Sequence, residues 1–530
     1  MSGFITAYSV LDGQAQQNYP ISSLADIEAA MNAARQAALV WAQIDAKQRS
    51  QRVARLIAVM MAELDDIIAV LMAATGKVKT EALLGEVYPV LELLRYYQRH
   101  AAASLAPCPV HTAPLAFPQA QAVYERRPYG VVAVISPWNF PLQLTLAPLV
   151  TALVSGNACV FKMSELSLPV GALLMRLLGQ LDLPDGLVQQ VIGAASEGMA
   201  LVDARPDLVF FTGSVAAGRA VMARAAQHPI PVLLELGGKD AMLVFADADL
   251  ERAANAALYG AFSNSGQVCV AVERCYVEAA CYADFVARLV AATAQLNVGH
   301  GPVGDLGAVT SLAQVAIIEA HYNDAIAKGA KASGPLRLQG RYLHPVVLWD
   351  VNHTMLLMQA ETFGPLLPIM AFSDGQEAVR LANASDYGLN ASVWSRDINK
   401  AERIARQLQV GNWAVNDVIK NIGHAGLPFG GVKNSGFGRY HGSEGLRQFT
   451  YTVAGLTSHS RLPKEPNWFP YSDKGYLDMR GFVDMLFGAG SLKQRLFRNW
   501  AALQAFRGYA SLNMAQHWRN GWIFIRRYPR

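Results

Sequence analysis

Two stretches of this chain set reactive groups among small residues. In Leu234-Glu235-Leu236-Gly237-Gly238-Lys239 a carboxylate precedes a paired glycine turn. In Asn264-Ser265-Gly266-Gln267-Val268-Cys269 a thiol follows a loop of small residues. A free thiol has a pKa near ~8.5 and attacks as its thiolate, so a nucleophilic Cys269 needs surroundings that stabilise the anion. The segment Ser263 to Gln267 offers backbone amides and room for close approach. Glu235 has the apolar neighbours Leu233, Leu234 and Leu236, which could lift its carboxyl towards the working range of a general base. Asn139, in Pro137-Trp138-Asn139-Phe140-Pro141, is a candidate amide donor. With the backbone N–H of Cys269 it could hold the alkoxide formed when a thiolate adds to a carbonyl. Each group also has an ordinary reading. A lone cysteine is usually a buried hydrophobe, and Cys108, Cys159, Cys275 and Cys281 keep that assignment. Glu235 could cap Gly237 or pair with Lys239, and Asn139 could satisfy a local turn.

Together these motifs resemble the NAD(P)-dependent aldehyde dehydrogenase superfamily, over roughly the first 460 residues. Cys269 stands in that family's Gly-Gln-x-Cys loop. The resemblance implies Cys269 as nucleophile, Asn139 as oxyanion donor and Glu235 as the base that activates water. Relatives that pass the acyl group to coenzyme A commonly lack such a glutamate. The implied reaction is oxidation of an aldehyde to a carboxylic acid through a cysteine thiohemiacetal and thioester. The cofactor segment has no GxGxxG where a strand meets a helix. Instead, Phe211-Thr212-Gly213-Ser214 and then Gly218 resemble the family's modified Rossmann turn, whose helix amides can meet a pyrophosphate. By the same resemblance Pro137, Trp138 and Leu236 line the cofactor pocket, and Lys162 with Glu165 takes the adenosine ribose. Glu361 and Phe363, in Glu361-Thr362-Phe363-Gly364-Pro365, take the nicotinamide ribose and ring. Without the resemblance, Lys162 and Glu165 read as solvated helix-start charges, Glu361 as a loop carboxylate and Phe363 as a core aromatic. A glutamate beside the ribose accepts from hydroxyls and repels a 2′-phosphate. NAD is therefore favoured, although some relatives with this pair use NADP as well.

Other motifs bear on substrate and assembly. Leu427-Pro428-Phe429-Gly430-Gly431-Val432-Lys433-Asn434-Ser435-Gly436 matches a late family motif and reads as structural, its glycines letting backbone line the substrate region. Arg439-Tyr440-His441-Gly442 resembles a dimer-forming branch that includes fatty and aromatic aldehyde enzymes. Gly266 to Val270 and Gly442-Ser443-Glu444-Gly445 resemble a succinate-semialdehyde branch instead. The expected partners are a small-molecule aldehyde and further copies of the chain, as a homodimer or homotetramer. A catalytically silent scaffold or membrane-binding protein with the same fold is the alternative. The joint presence of Cys269, Glu235 and Asn139 argues against it.

The elements that must position these groups form an α/β pattern. Ser23-Leu24-Ala25-Asp26 predicts a capped helix, and helix-rich sequence runs to about His100. Strands are expected at Gln121 to Pro128, Val131 to Ile135, Ala158 to Phe161, Val188 to Ile192, Leu208 to Phe210 and Phe449 to Val453, with a helix from about Leu144. The predicted fold is aldehyde-dehydrogenase-like. Residues 1–110 and 129–236 form a modified Rossmann cofactor domain, and 237–437 an α/β catalytic domain. Segments 111–128 and 438–460 bridge subunits, and 461–530 form a C-terminal extension.

At 530 residues the chain has material for two or three domains, and 52% hydrophobic against 16% charged residues makes it globular. Five cysteines without CxxC or metal spacing suit a reducing cytoplasm, and no metal site is expected. The N-terminus does not read as a signal peptide, and no apolar run is long enough for a spanning helix. From Met485 to Arg530 there are eight Lys or Arg, nine aromatics and no Asp or Glu. Ser491-Leu492-Lys493-Gln494 could cap a helix with Leu492, Leu496, Trp500, Leu503 and Phe506 on one face. That composition suits an anionic membrane surface, and equally an arm packed on a partner subunit. No recognised module supports nucleic-acid binding.

Overall fold

The computed structural model describes residues 3–112, 117, 119–299, 304–461, 463–465 and 467–505. They group into two compact units, Met1–Leu105 with Arg127–Tyr451 and Ala106–Arg126 with Thr452–Arg530.

The first unit contains two large sheets. One is built on Val131–Ser136, every residue of which is buried, as its unbroken apolar run requires of a parallel strand covered on both faces. Its strands lie in the order Gly436–Phe437, Val232–Glu235, Leu208–Thr212, Val131–Ser136, Ala158–Met163, Val188–Val191. The last five are parallel, and Gly436–Phe437 runs antiparallel along the edge. The chain order reverses between Val131–Ser136 and Leu208–Thr212. In open α/β sheets the crevice at such a reversal, beyond the strands' carboxyl ends, is where ligands bind. Gly436–Phe437, placed by sequence at the end of the catalytic region, thus completes the cofactor-side sheet.

The helix expected from Leu144 spans Pro141–Ser155, three residues longer at its start. Proline suits the first helical position because its missing N–H is unpaired there anyway. All of this helix but Gln143 is buried, and it has no side-chain cap of its own. Glu86 supplies one from elsewhere in the chain, its Oε2 accepting from the amides of Leu142 (2.9 Å) and Gln143 (3.0 Å). Ser23 forms the expected capping box with Asp26 before helix Leu24–Trp41. A hairpin of Phe4–Tyr8 and Ala15–Pro20 was not anticipated, because its second strand is polar and exposed except at Tyr19.

The second sheet has the order Lys331–Ala332, Val346–Trp349, Leu366–Phe372, Val272–Glu278, Asp240–Val244, Asn390–Trp394, Asn412–Val415. All but the Lys331–Ala332 edge are parallel. Separate apolar clusters pack its two faces, around Leu243 and Tyr276 on one side and Met242 and Val277 on the other, as alternation along a strand dictates.

The second unit has a three-stranded sheet of Thr450–Ser458, Ala120–Pro128 and Cys108–Val110. Its helices span Asp473–Phe487, Leu492–Arg498 and Trp500–Ala505. Ser491 and Gln494 form the expected capping box. The single helical face expected through Trp500 is broken at Asn499, whose backbone leaves helical geometry (φ −108°, ψ 27°). There its side-chain amide donates to Asp484 (2.5 Å) and to the Arg495 carbonyl (3.1 Å), ending one helix before the next begins. Phe506 and the tail to Arg530 lie outside the described residues. Among the described residues no helix is long and apolar enough to cross a membrane.

Candidate active site

The two sheets meet in opposite senses. The first presents strand exits: Ser136 leads into Pro137, Trp138 and Asn139, Thr212 into Gly213 and Ser214, and Glu235 ends its own strand. The second presents strand entries: Lys239 precedes Asp240–Val244, Cys269 precedes Val272–Glu278, and Glu361 and Phe363 precede Leu366–Phe372. The chain passes from one sheet to the other through Leu236-Gly237-Gly238-Lys239. The glycines there are steric requirements. A Cβ on Gly237 would lie 2.3 Å from Glu361 Oε2, and one on Gly238 would lie 2.1 Å from the Cys269 carbonyl oxygen. The paired glycine turn therefore lets the carboxylate segment close on both the nucleophile segment and the Glu361 loop.

The loop before Cys269 is held in an uncommon shape. Asn264, Ser265 and Gly266 are all left-handed, with φ of 50°, 56° and 74°. Such geometry costs of order 1–3 kcal/mol per non-glycine residue and persists only where neighbours enforce it. Here the Asn264 amide donates to Glu81 Oε1 (2.5 Å) and Ser265 Oγ to the Gly307 carbonyl (2.7 Å). Gln267 Nε2 donates to the Asn264 carbonyl (2.8 Å), while Gln267 Oε1 accepts from the Thr310 amide (2.9 Å).

Asn139 is buried, and its Nδ2 donates to the Gln267 carbonyl at 3.0 Å, two residues from Cys269. An amide nitrogen has two N–H groups, so one remains beyond this bond. The Asn139 backbone carbonyl is fixed from two sides, by Lys77 Nζ (2.8 Å) and Asn264 Nδ2 (3.1 Å). Lys77 also pairs with Glu86 at 2.6 Å, both fully buried. The local-turn reading of Asn139 thus gives way to a long-range anchor.

Glu235 neither caps Gly237 nor pairs with Lys239. Lys239 instead pairs with buried Glu273 at 2.5 Å. Glu235 Oε2 is buried without a hydrogen-bond partner. Burial pushes its carboxyl well above the usual range, opposed by Arg439. Cys269 is half-buried. Burial pushes its thiol up, and Glu361, Asp240 and Glu235 add in the same direction, so the resting sulfur is protonated. Glu361 accepts from the Gly238 amide at 2.9 Å, and burial and Glu273 raise it to about 8. Of the other cysteines, Cys159, Cys275 and Cys281 are buried and Cys108 is partly so.

At the reversal crevice, Ser214 caps helix Val215–Ala225 by accepting from the Ala217 amide. The Gly213 amide donates to the Glu235 carbonyl at 3.0 Å. Gly218 has a packing role, since a Cβ there would lie 2.4 Å from Leu236 Cδ2. Lys162 is not a solvated charge. It is buried at the end of Ala158–Met163, burial lowers its pKa, and its ion-pair partner Glu165 is 3.7 Å away. Trp138 and Phe363 pack edge to face with ring centroids 5.6 Å apart.

Sequence reasoning passed over three groups: Glu81, the Lys77–Glu86 pair and the Lys239–Glu273 pair. Glu273 accepts from the amides of Thr362 (2.7 Å) and Phe363 (2.8 Å), shaping the loop that carries Glu361. Charge within apolar stretches was the sequence signal for Glu86 and Glu273, whereas Lys77 and Glu81 lie in the polar run Lys77-Val78-Lys79-Thr80-Glu81.

A cavity of about 1250 Å³ reaches Val268, Cys269 and Val270. Its wall is rich in aromatic and aliphatic groups, among them Leu84, Tyr88, Tyr96, Phe140, Tyr259, Phe429 and Tyr440, and also carries Glu81, Arg95, Arg99 and Lys420. Of the late motif, Phe429 lines it, whereas Gly430, Gly431 and Gly436, expected to bring backbone to the substrate region, do not. Asn139 and Glu235 stand off this wall.

The aldehyde dehydrogenase family profile matches residues 3–454. The 4,4′-diapolycopene aldehyde oxidase of Methylomonas sp is 60% identical over 516 residues, covering 97% of each chain. A Mycobacterium ulcerans protein named as an NADP(+) succinate-semialdehyde dehydrogenase is 36% identical over 453 residues, 84% of this chain and 87% of its own. The crystal structure of Staphylococcus aureus betaine aldehyde dehydrogenase, solved with NAD+, superposes with a TM-score of 0.82 at 28% identity, over 88% of this chain and 94% of its own.

Proposed function

This chain belongs to the aldehyde dehydrogenase family, and from that premise we propose that it oxidises a long apolar aldehyde, of the polyene kind named for its Methylomonas relative, to the carboxylic acid. The observation that carries the substrate class is the cavity at Cys269, walled by aromatic and aliphatic side chains. The 60% identity to a protein named for a carotenoid aldehyde points the same way.

In the proposed reaction the Cys269 thiol loses its proton to solvent water and its sulfur adds to the aldehyde carbon. The free N–H of Asn139 and the Cys269 backbone amide stabilise the resulting oxyanion. After oxidation to the thioester, Glu235 takes a proton from water, which attacks the acyl carbon and releases the acid and the thiol. The unpartnered Glu235 Oε2 is an acceptor with capacity for that water.

The residues present fit a dinucleotide. The strand order reverses between the strands that lead into Pro137–Trp138 and Gly213–Ser214, the position at which open α/β sheets bind ligands. Lys162, whose ion-pair partner is beyond hydrogen-bond distance, has donors to spare for ribose hydroxyls. Glu165 disfavours a 2′-phosphate, and so NAD is proposed over NADP. Leu236, Glu361 and Phe363 would hold the nicotinamide end. When bound, the cofactor accepts the hydride. Assembly as a homodimer or homotetramer and a cytoplasmic location, supported by five unpaired cysteines, complete the reading.

The test is a panel of long-chain, aromatic and polyene aldehydes beside succinic semialdehyde, with Cys269→Ala as control. The apolar aldehydes are expected to give the higher kcat/KM, and Cys269→Ala to lose turnover while keeping NAD binding. Preference for succinic semialdehyde would overturn the substrate class. Wild-type turnover in Cys269→Ala would overturn the mechanism, and no turnover of any aldehyde by the wild type would leave a silent scaffold as the better account.

A further inference from the structure

The C-terminal extension forms a small folded body with an inside and an outside. Its inside is the contact of helix Asp473–Phe487 with Trp500–Ala505, where Met485 and Ala502 are buried. A Cβ on Gly481 would lie 2.6 Å from Ala502 Cβ, so the two helices approach closely there. Asp484 locks the corner, accepting from Arg498 and from Asn499 Nδ2. The outside of Asp473–Phe487 is an apolar stripe. Tyr476, Val483 and Phe487 follow helical spacing along one face with Arg480 among them, and Leu477 flanks them. All four hydrophobic residues are exposed, Phe487 by 80%. On the following helices Phe497 is 86% exposed, and Leu492 and Trp500 are also open. Trp468, Phe469 and Tyr471 extend the apolar surface before the first helix.

Charge sets the partner. Between Thr452 and Arg530 there are twelve Lys or Arg and four Asp or Glu, a net +8, while the preceding 451 residues carry −4. A second copy laid face to face on the stripe would set Arg480 against Arg480 and, over the described part of the extension to Ala505 with seven Lys or Arg and four Asp or Glu, a net +3 against +3. An anionic lipid surface neutralises that charge and takes the aromatic side chains into its headgroup region. The extension also separates relatives. The family profile ends at residue 454, whereas the 516-residue match to the Methylomonas protein must include most of the residues beyond it. We propose that the exposed face of Asp473–Phe487, with Phe497 and Trp500, docks the enzyme on an anionic membrane. The surface begins well before Met485, the point from which the basic tail alone had suggested it. The benefit of docking rests on the apolar-substrate reading, since such aldehydes partition into lipid, but the binding itself does not.

The experiment is co-sedimentation of the full-length enzyme with phosphatidylglycerol vesicles and with phosphatidylcholine vesicles, without aldehyde or cofactor. The comparison variant is the full chain carrying V483S, F487S and F497S, all exposed positions whose loss spares the core. Wild type is expected to pellet with phosphatidylglycerol at least tenfold more strongly than with phosphatidylcholine, and to be released by high salt. The variant is expected to lose at least tenfold in affinity while oxidising a water-soluble aldehyde at the wild-type rate. Equal pelleting of variant and wild type, or no preference for the anionic lipid, would overturn the proposal. So would a fall in oligomer mass in the variant, which would assign the face to a second copy. A substrate panel favouring semialdehyde acids, with vesicle binding intact, would sink the substrate reading alone.

Discussion

At Glu235 the proposed catalytic role and the structural setting are in conflict. A buried carboxyl without a partner is held neutral, and ionising it for catalysis opposes the fold. Glu235→Gln should therefore change both turnover and stability. Removing a general base typically costs 10²–10⁴-fold, and here the loss falls on release of the acid. Rapid mixing should show a burst of reduced cofactor followed by turnover slowed about 10²-fold or more. Impaired hydride transfer with normal deacylation would remove Glu235 from the role. The wild-type deacylation rate should rise with pH through a value above the ordinary carboxylate range. Stability runs the other way. The folded pKa is raised, so the neutral form costs nothing below the unfolded carboxylate value, and the penalty grows as pH climbs towards the folded value. The variant should unfold at a higher temperature than wild type at pH 8 and at a similar one near pH 4.5, measured by calorimetry. The glutamate and its apolar neighbours were legible in sequence. The absence of a partner was not, because it depends on Lys239 choosing Glu273 from another strand.

Among the elements, those whose local chemistry agrees with their surroundings were readable. The β-branched run at Val131 and the capping boxes at Ser23 and Ser491 all formed. Where the deciding contact comes from far along the chain, local reading fails. The helix at Pro141 is capped by Glu86, and the helix at Leu492 ends because Asn499 meets Asp484. Gly218, read as part of a phosphate turn, also fits against Leu236, a contact that cannot be seen in a line of residues. The Lys77–Glu86 pair gives the test at this scale. It fixes the Asn139 carbonyl on one side and the start of helix Pro141–Ser155 on the other. Lys77→Met leaves Glu86 buried without its cation, and breaking such a pair typically costs about 3–5 kcal/mol. The expected outcome is a markedly lower unfolding midpoint, with kcat reduced more than KM is raised because the oxyanion donor loses its anchor. An unchanged midpoint with unchanged kcat would show the clamp to be idle.

Across the whole molecule, strand exits of one sheet face strand entries of the other, and the proposed cofactor touches both. A ligand held that way binds the folded state alone. NAD at a hundredfold its Kd should therefore stabilise the enzyme by about 2.7 kcal/mol, seen as a rise in thermal midpoint. NADP at the same concentration should give a smaller rise, because of Glu165. An equal or larger rise with NADP would reverse the cofactor preference.

The edge strand Gly436–Phe437 sets a schedule for the growing chain. Until it emerges from the ribosome, the strand ending at Glu235 has an uncovered border, and the Leu236 amide lacks the Ser435 carbonyl that pairs it at 3.1 Å. Cys269 is translated 167 residues before Gly436, by subtraction of their positions. During that interval the thiol exists without a covered Glu235 strand. On the proposed mechanism, the chain becomes competent to turn over only when its last fifth is being made.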